Sequence, residues 1–150
     1  MIELSEMGMK IKKILSFTLL FFVLANVFSA DATREMAKIH RKMKRIDKKR
    51  LLSKVQEIDD ASVKFYFTKK IQLVKIIEKK IVDGATVFKH FYFDKKTGGL
   101  ISANMSGTVF YYYDSDYFAV LSSDSYTEQQ AEDKADELKD LAYYYIEKIE

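Results

Sequence analysis

The sequence predicts an α+β protein. It should be an antiparallel β-meander of about five strands, with an N-terminal basic amphipathic helix and a C-terminal acidic amphipathic helix packed on it. Three observations carry this. Apolar residues recur at helical spacing near both ends, the middle of the chain alternates with period two, and an Asp-Gly pair sits where a hairpin must turn.

The first helix is expected from Asp31 to about Val55, because Met36, Ile39, Met43 and Ile46, followed by Leu51 and Leu52, keep one apolar stripe among charged neighbours. Its polar face is almost wholly basic. The strands follow between Ser62 and Ser122. Val63, Phe65 and Phe67 alternate with Lys64, Tyr66 and Thr68, as in a half-buried strand. Ile71 to Ile81 fits either a strand or a helix, and the strand is preferred because Asp83-Gly84 supplies a type I′ turn. Folding about that turn sets Val82 against Ala85, Glu78 against Lys89, Ile76 against Phe91 and Val74 against Phe93, so charge and hydrophobicity agree on one register.

A second turn is expected at "DKKTGG", and Leu100 to Met105 forms the next strand, with Gly107 as a bulge or bend. In "FYYYDSDYFAV", a three-residue loop at Asp114 to Asp116 would place Tyr113 opposite Tyr117, Tyr112 opposite Phe118, Tyr111 opposite Ala119 and Phe110 opposite Val120. Phe110, Tyr112, Phe118 and Val120 would then line the core. Tyr111, Tyr113 and Tyr117 would stand together on the other face as a candidate partner-binding patch, since tyrosine is enriched at recognition surfaces.

The last helix starts near Thr127, where Ser125 or Thr127 caps it and Glu128 or Gln130 completes a capping box. Ala131, Ala135, Leu138, Leu141, Ala142, Tyr145, Ile146 and Ile149 give it one apolar stripe. From Asp114 onward there are eleven acids against three lysines. The chain is thus polarised along its length.

Residues 1–29 have the order of a secretory signal peptide: a lysine-bearing lead, then "ILSFTLLFFVLANVFSA", an apolar core too short to span a bilayer, ending in small residues. Cleavage is expected after Ser29 or Ala32, leaving residues 30–150 as a single small domain in a periplasmic or extracellular setting. The absence of cysteine excludes disulfides, thiolate metal sites, a Cys nucleophile and a lipoprotein acylated on a lipobox thiol. Burial alone must hold the fold.

Few chemistries find a motif. His40 and His90 have no partner at metal-ligand spacing, and among five scattered glycines there is no nucleophile elbow, P-loop or dinucleotide fingerprint. Asp114, Asp116 and Asp124 lack the glycine and terminal Glu of a calcium loop. Neither a metal nor a cofactor is expected.

Ten basic side chains between Asp31 and Val55 make the first helix the other candidate site, with Arg41, Lys42, Arg45, Lys48 and Lys49 as anion-binding residues. The bland alternative is a solvated face, or one paired with the acidic last helix. Export points to an envelope protein, a polyanionic envelope component or a membrane surface as partner, and away from nucleic acid. The functional expectation is an exported non-catalytic binding or cell-envelope accessory protein. The alternative is a small envelope hydrolase without a recognisable motif.

The run "FYFDKKTGGLIS", Phe91 to Ser102, resembles the strand, D-x-x-T-G turn, strand unit of small exported β-meander domains such as PepSY-like ones. It covers a dozen residues and implies a meander, with no activity or site residue carried over.

Overall fold

A computed structural model describes residues 29–150, so the expected signal peptide lies almost wholly outside the described residues. The chain runs through α1 (Ala30–Lys48), then β1 (Leu52–Ile58), β2 (Ala61–Phe67), β3 (Leu73–Val82), β4 (Ala85–Phe93), β5 (Leu100–Met105), β6 (Thr108–Tyr113), β7 (Asp116–Leu121) and finally α2 (Glu128–Glu147). The strands form one antiparallel sheet in chain order, β1 to β7. Seven strands replace the expected five or so. The strand lost in the sequence is β1, because Leu51 and Leu52 prolong the apolar spacing of α1; the helix in fact stops at Lys48 and the chain turns extended at Lys49, with ψ 151°. From Leu52 to Ile58 every residue pairs with β2.

Four hairpins close through two-residue turns with positive φ at both positions: Asp59-Asp60, Asp83-Gly84, Ser106-Gly107 and Asp114-Ser115. The Asp83-Gly84 register is as expected for Val82 with Ala85, Glu78 with Lys89 and Ile76 with Phe91. The Asp114-Ser115 turn corrects the aromatic hairpin. It has two loop residues instead of three, so Tyr113 pairs with Asp116 and Tyr112 with Tyr117, and a bulge at Phe118 then restores Tyr111 to Ala119 and Phe110 to Val120. Bulges also interrupt β2–β3 after Tyr66 and β4–β5 after Tyr92. All three fall toward the end of the sheet where α1 gives way to β1.

Helices cover opposite faces. α2 packs Ala131, Ala135, Leu138, Ala142 and Tyr145 onto Val63, Phe65, Ile76, Phe91, Phe110 and Tyr112. Its small residues leave room for the large rings of the sheet. α1 packs Met36, Ile39 and Met43 onto Tyr92, Ile101, Tyr111, Ala119 and Leu121 of the other face. The Thr127 capping box is present, with Thr127 Oγ1 accepting from the Gln130 N–H and Gln130 Oε1 accepting from the Thr127 N–H.

Tyr111 is therefore a core residue, fully buried beneath α1, whereas its neighbour Tyr113 is 65% exposed. Truncating Tyr111 to Ala should cost roughly 3–5 kcal/mol through lost burial and a cavity, and Tyr113→Ala about 0.5 kcal/mol or less. Chemical denaturation of the two variants checks the assignment, and equal losses would refute it.

Candidate functional site

Beside the C-terminal half of α1 lies a cavity of about 210 Å³, where Lys42 and Arg45 of the helix and Lys49 just beyond it meet Lys95 and Lys96 of the β4–β5 turn. Ile46, Leu51, Val74 and Phe93 give it apolar walls, and Thr68 adds a hydroxyl. The expected anion-binding residues divide accordingly. Lys42, Arg45 and Lys49 line the cavity, while Arg41 and Lys48 are exposed on α1 outside its lining.

One carboxylate enters this basic surround. Asp94 is held by Lys42 Nζ at 2.6 Å and accepts from the Lys96 N–H at 2.8 Å. Burial opposes its ionisation, but hydrogen bonds from Lys42 and from the Lys96 and Thr97 backbone outweigh it and keep the carboxyl below its usual range. Asp94 thus neutralises Lys42 alone. Among the described residues, Arg45, Lys49, Lys95 and Lys96 form no ion pair, so the cavity rim keeps a surplus of positive charge.

Local structure places these groups. α1 is clamped at its end by Asp47, which takes Lys75 Nζ at 2.7 Å and the Tyr92 hydroxyl at 3.1 Å. The β4–β5 turn is pinned to the β6–β7 turn: Ser115 N–H donates to the Leu100 carbonyl at 2.9 Å, and Ser115 Oγ accepts from the Leu100 N–H at 3.0 Å. Gly99 permits this approach, since a Cβ there would sit 2.1 Å from Asp114 Oδ1. The lysine pair is thereby carried on an anchored turn. Sequence reasoning missed Lys95, Lys96, Asp94 and Thr68. The tandem lysines of "DKKTGG" were the available signal, but only strand parity brings that turn to the end of α1.

The tyrosine patch is not assembled. Tyr111 lies under α1, Tyr113 projects from the end of β6, and Tyr117 is half-buried on the α2 side, 6.4 Å from both the Phe110 and Tyr112 ring centroids. The bulge at Phe118 is the cause, because one extra residue turns Tyr117 to the face opposite the one expected.

Two further polar clusters involve a buried group, Glu78 in one and Tyr111 in the other. Glu78, 2% exposed, accepts a hydrogen bond from the Tyr145 hydroxyl through Oε2, and its Oε1 faces Lys89 Nζ at 3.3 Å without a well-aligned hydrogen bond. Strands β3 and β4 thus share one charge pair, to which α2 adds the Tyr145 hydroxyl. Removing one member should be severe: Lys89→Met is expected to cost roughly 3–5 kcal/mol, and Glu78→Gln with Lys89→Met distinctly less, since the charge then goes as well. Urea unfolding of the single and double variants measures this.

His40 reaches solvent with part of its ring, but its Nε2 is hydrogen-bonded to the buried Tyr111 hydroxyl. Its pKa is lowered by burial and then by Lys44; that of His90 is lowered by burial and Lys75, against Asp47. The unfolded chain takes up these protons near pH 6.5 and the folded chain resists. Stability is therefore full above about 6.5 and is lost as pH falls through it. Urea midpoints should drop between about pH 7.5 and 5.5, and the double change His40→Gln, His90→Gln should flatten that drop.

No group of three His, Cys, Asp or Glu side chains suited to a metal ion occurs among the described residues. Comparison of the chain with protein-family models, with curated proteins and with solved structures returns no match.

Proposed function

We propose that this protein is an exported, non-catalytic envelope-accessory binding protein that receives an anionic group in the cavity beside α1. The observation that carries the reading is the meeting of Arg45, Lys49, Lys95 and Lys96, all without carboxylate partners among the described residues, around one apolar-walled cavity. A merely solvated basic face would spread its cations outward. Here two separate elements direct them to one place, and a lone carboxylate is already committed to Lys42.

The export component rests on the order of residues 1–29. Among the described residues no helix is long and apolar enough to cross a membrane. Binding is favoured over hydrolysis by the surroundings of the histidines: among the described residues, His40 is engaged by Tyr111, and neither histidine is hydrogen-bonded to a serine or a carboxylate.

Inorganic pyrophosphate is a suitable probe of the cavity. Calorimetry at low ionic strength should detect binding that weakens as salt is raised, because exposed charges are screened. Arg45→Gln combined with Lys96→Gln should reduce the affinity at least tenfold while leaving the melting temperature nearly unchanged, as both side chains are exposed and form no ion pair among the described residues. Absence of binding, or binding indifferent to the double change, would remove the cavity as the site.

A further inference from the structure

The turns of a meander alternate between its two ends, and in this sheet the lysine-bearing turns gather at one of them. At one end lie the Asp59-Asp60 and Asp83-Gly84 turns, with Asp124 in the segment that follows β7. At the other end lie the α1–β1, β2–β3 and β4–β5 connections, with Lys49, Arg50, Lys69, Lys70, Lys95 and Lys96, which outnumber the acids of that end, Asp94, Asp114 and Asp116. These basic turns are two strands apart, so neighbouring tips are separated by roughly 10 Å. The cavity opens among them.

The basic end also carries exposed apolar tips. Ile71 is 68% exposed, Leu52 49% and Tyr113 65%; the opposite end has exposed apolar side chains too, Ile81 at 68% and Val82 at 46%, so exposure alone does not single out the basic end. Ile71 is the most telling. It has φ 61°, a left-handed conformation that Gly or Asn occupies readily and a β-branched residue does not. No packing explains an isoleucine there. The backbone is fixed outward by Thr68, whose carbonyl accepts from the Ile71 N–H at 2.8 Å and whose Oγ1 accepts from the Gln72 N–H at 3.2 Å. Thr68 lines the cavity too, so the strained tip and the basic site share a residue.

We infer that this end of the sheet docks on an anionic lipid surface, with Ile71 entering the headgroup region beside Lys69 and Lys70 while the cavity takes a lipid phosphate. The inference rests on the anion-site reading above and names its source of anion. Charge complementarity selects an anionic surface, and the form of the apolar groups selects a bilayer over a protein. Single tips at separate strand ends and turns, Ile71 with Lys69 and Lys70 beside it, make no contiguous apolar core, and lysine is depleted from the cores of protein interfaces. A bilayer needs no such core. Each tip finds apolar medium independently, while lysine stems lie along it with their ammonium groups at the phosphates.

The chain contains no cysteine, which allows a single reporter to be placed at will. Full-length protein with Ile71→Cys, carrying a polarity-sensitive fluorophore, is mixed with vesicles of phosphatidylglycerol and phosphatidylcholine or of phosphatidylcholine alone; Asp83→Cys at the opposite end is the control. The expected result is a blue shift at position 71 with the anionic vesicles only, reversed by high salt, and none at position 83. Reading locally keeps the apolar N-terminal segment from deciding the outcome. In vesicle flotation, Lys69→Gln with Lys70→Gln should weaken binding at least tenfold, at roughly fivefold per cation near an anionic surface. Ile71→Asn should lower binding yet leave the melting temperature equal or higher, because the strain is relieved.

No shift at position 71, an equal shift at both positions, or a shift with neutral vesicles overturns the inference. So does an equal shift with soluble polyphosphate, which would assign this end to a polyanionic polymer. If pyrophosphate binds through Arg45 and Lys96 but vesicles produce no shift, the lipid inference fails and the cavity reading stands. If a shift occurs without pyrophosphate binding, the vesicle docking stands on the turns alone and the cavity assignment fails.

Discussion

Phe110, Tyr111 and Tyr112 are consecutive rings on β6, each with no exposed surface, and they point alternately to the two faces of the sheet. Such a strand is stable only if both faces are covered. Each large ring excluded from water contributes on the order of 2–3 kcal/mol, and leaving one side open would forfeit that contribution there. The need for two covering layers fixes the rest: one helix before the meander and one after it, on opposite sides. The helices meet the rings differently, α2 with alanines that approach closely and α1 with methionines that adapt to Tyr111 and Tyr92.

Tyrosine hydroxyls make this packing specific. Buried rings with a polar end need a partner, and each helix supplies partners at particular positions. Tyr111 meets His40 and Tyr92 meets Asp47 on the α1 side; on the α2 side Tyr112 donates to the Ala135 carbonyl at 2.6 Å, and Tyr145 donates to Glu78. Sliding either helix by one turn would strand these groups in an apolar interior. The Asp47 clamp also holds the end of α1 against the sheet beside the cavity, so the packing of the core and the geometry of the basic site have a common support.

Charge is segregated in two directions. The outer surface of α2 is acidic and that of α1 basic, which separates the two faces, while the lysines of the β2–β3 and β4–β5 connections give one end a surplus of positive charge despite Asp114 and Asp116 there. The cavity lies where the basic face meets the basic end. This is why a short helix segment and a hairpin turn, distant in sequence, together produce a concentrated positive site that neither would form alone.

Much of the architecture was legible because it is written in local periodicity. The stripes of α1 and α2, the Asp83-Gly84 hairpin and the Thr127 cap all depend on neighbours within a few residues. Residues Lys42, Arg45 and Lys49 were legible as basic helix positions for the same reason. What the sequence did not disclose depends on longer range. The end of α1 and the start of β1 were decided by pairing with β2, which outweighs a continuing helical stripe. The face of Tyr117 was decided by a bulge at Phe118, since a single inserted residue reverses a face without leaving any mark in composition, and the burial of Tyr111 was decided by α1 covering the face on which it was expected. Lys95 and Lys96 became part of the site only through strand parity and the anchoring of their turn by Ser115. The sequence by itself determined which segments are amphipathic and how they are charged, since those are properties of local order; the tertiary structure alone decided which rings are buried and which cations converge, since these depend on the register and direction of strands far apart in the chain.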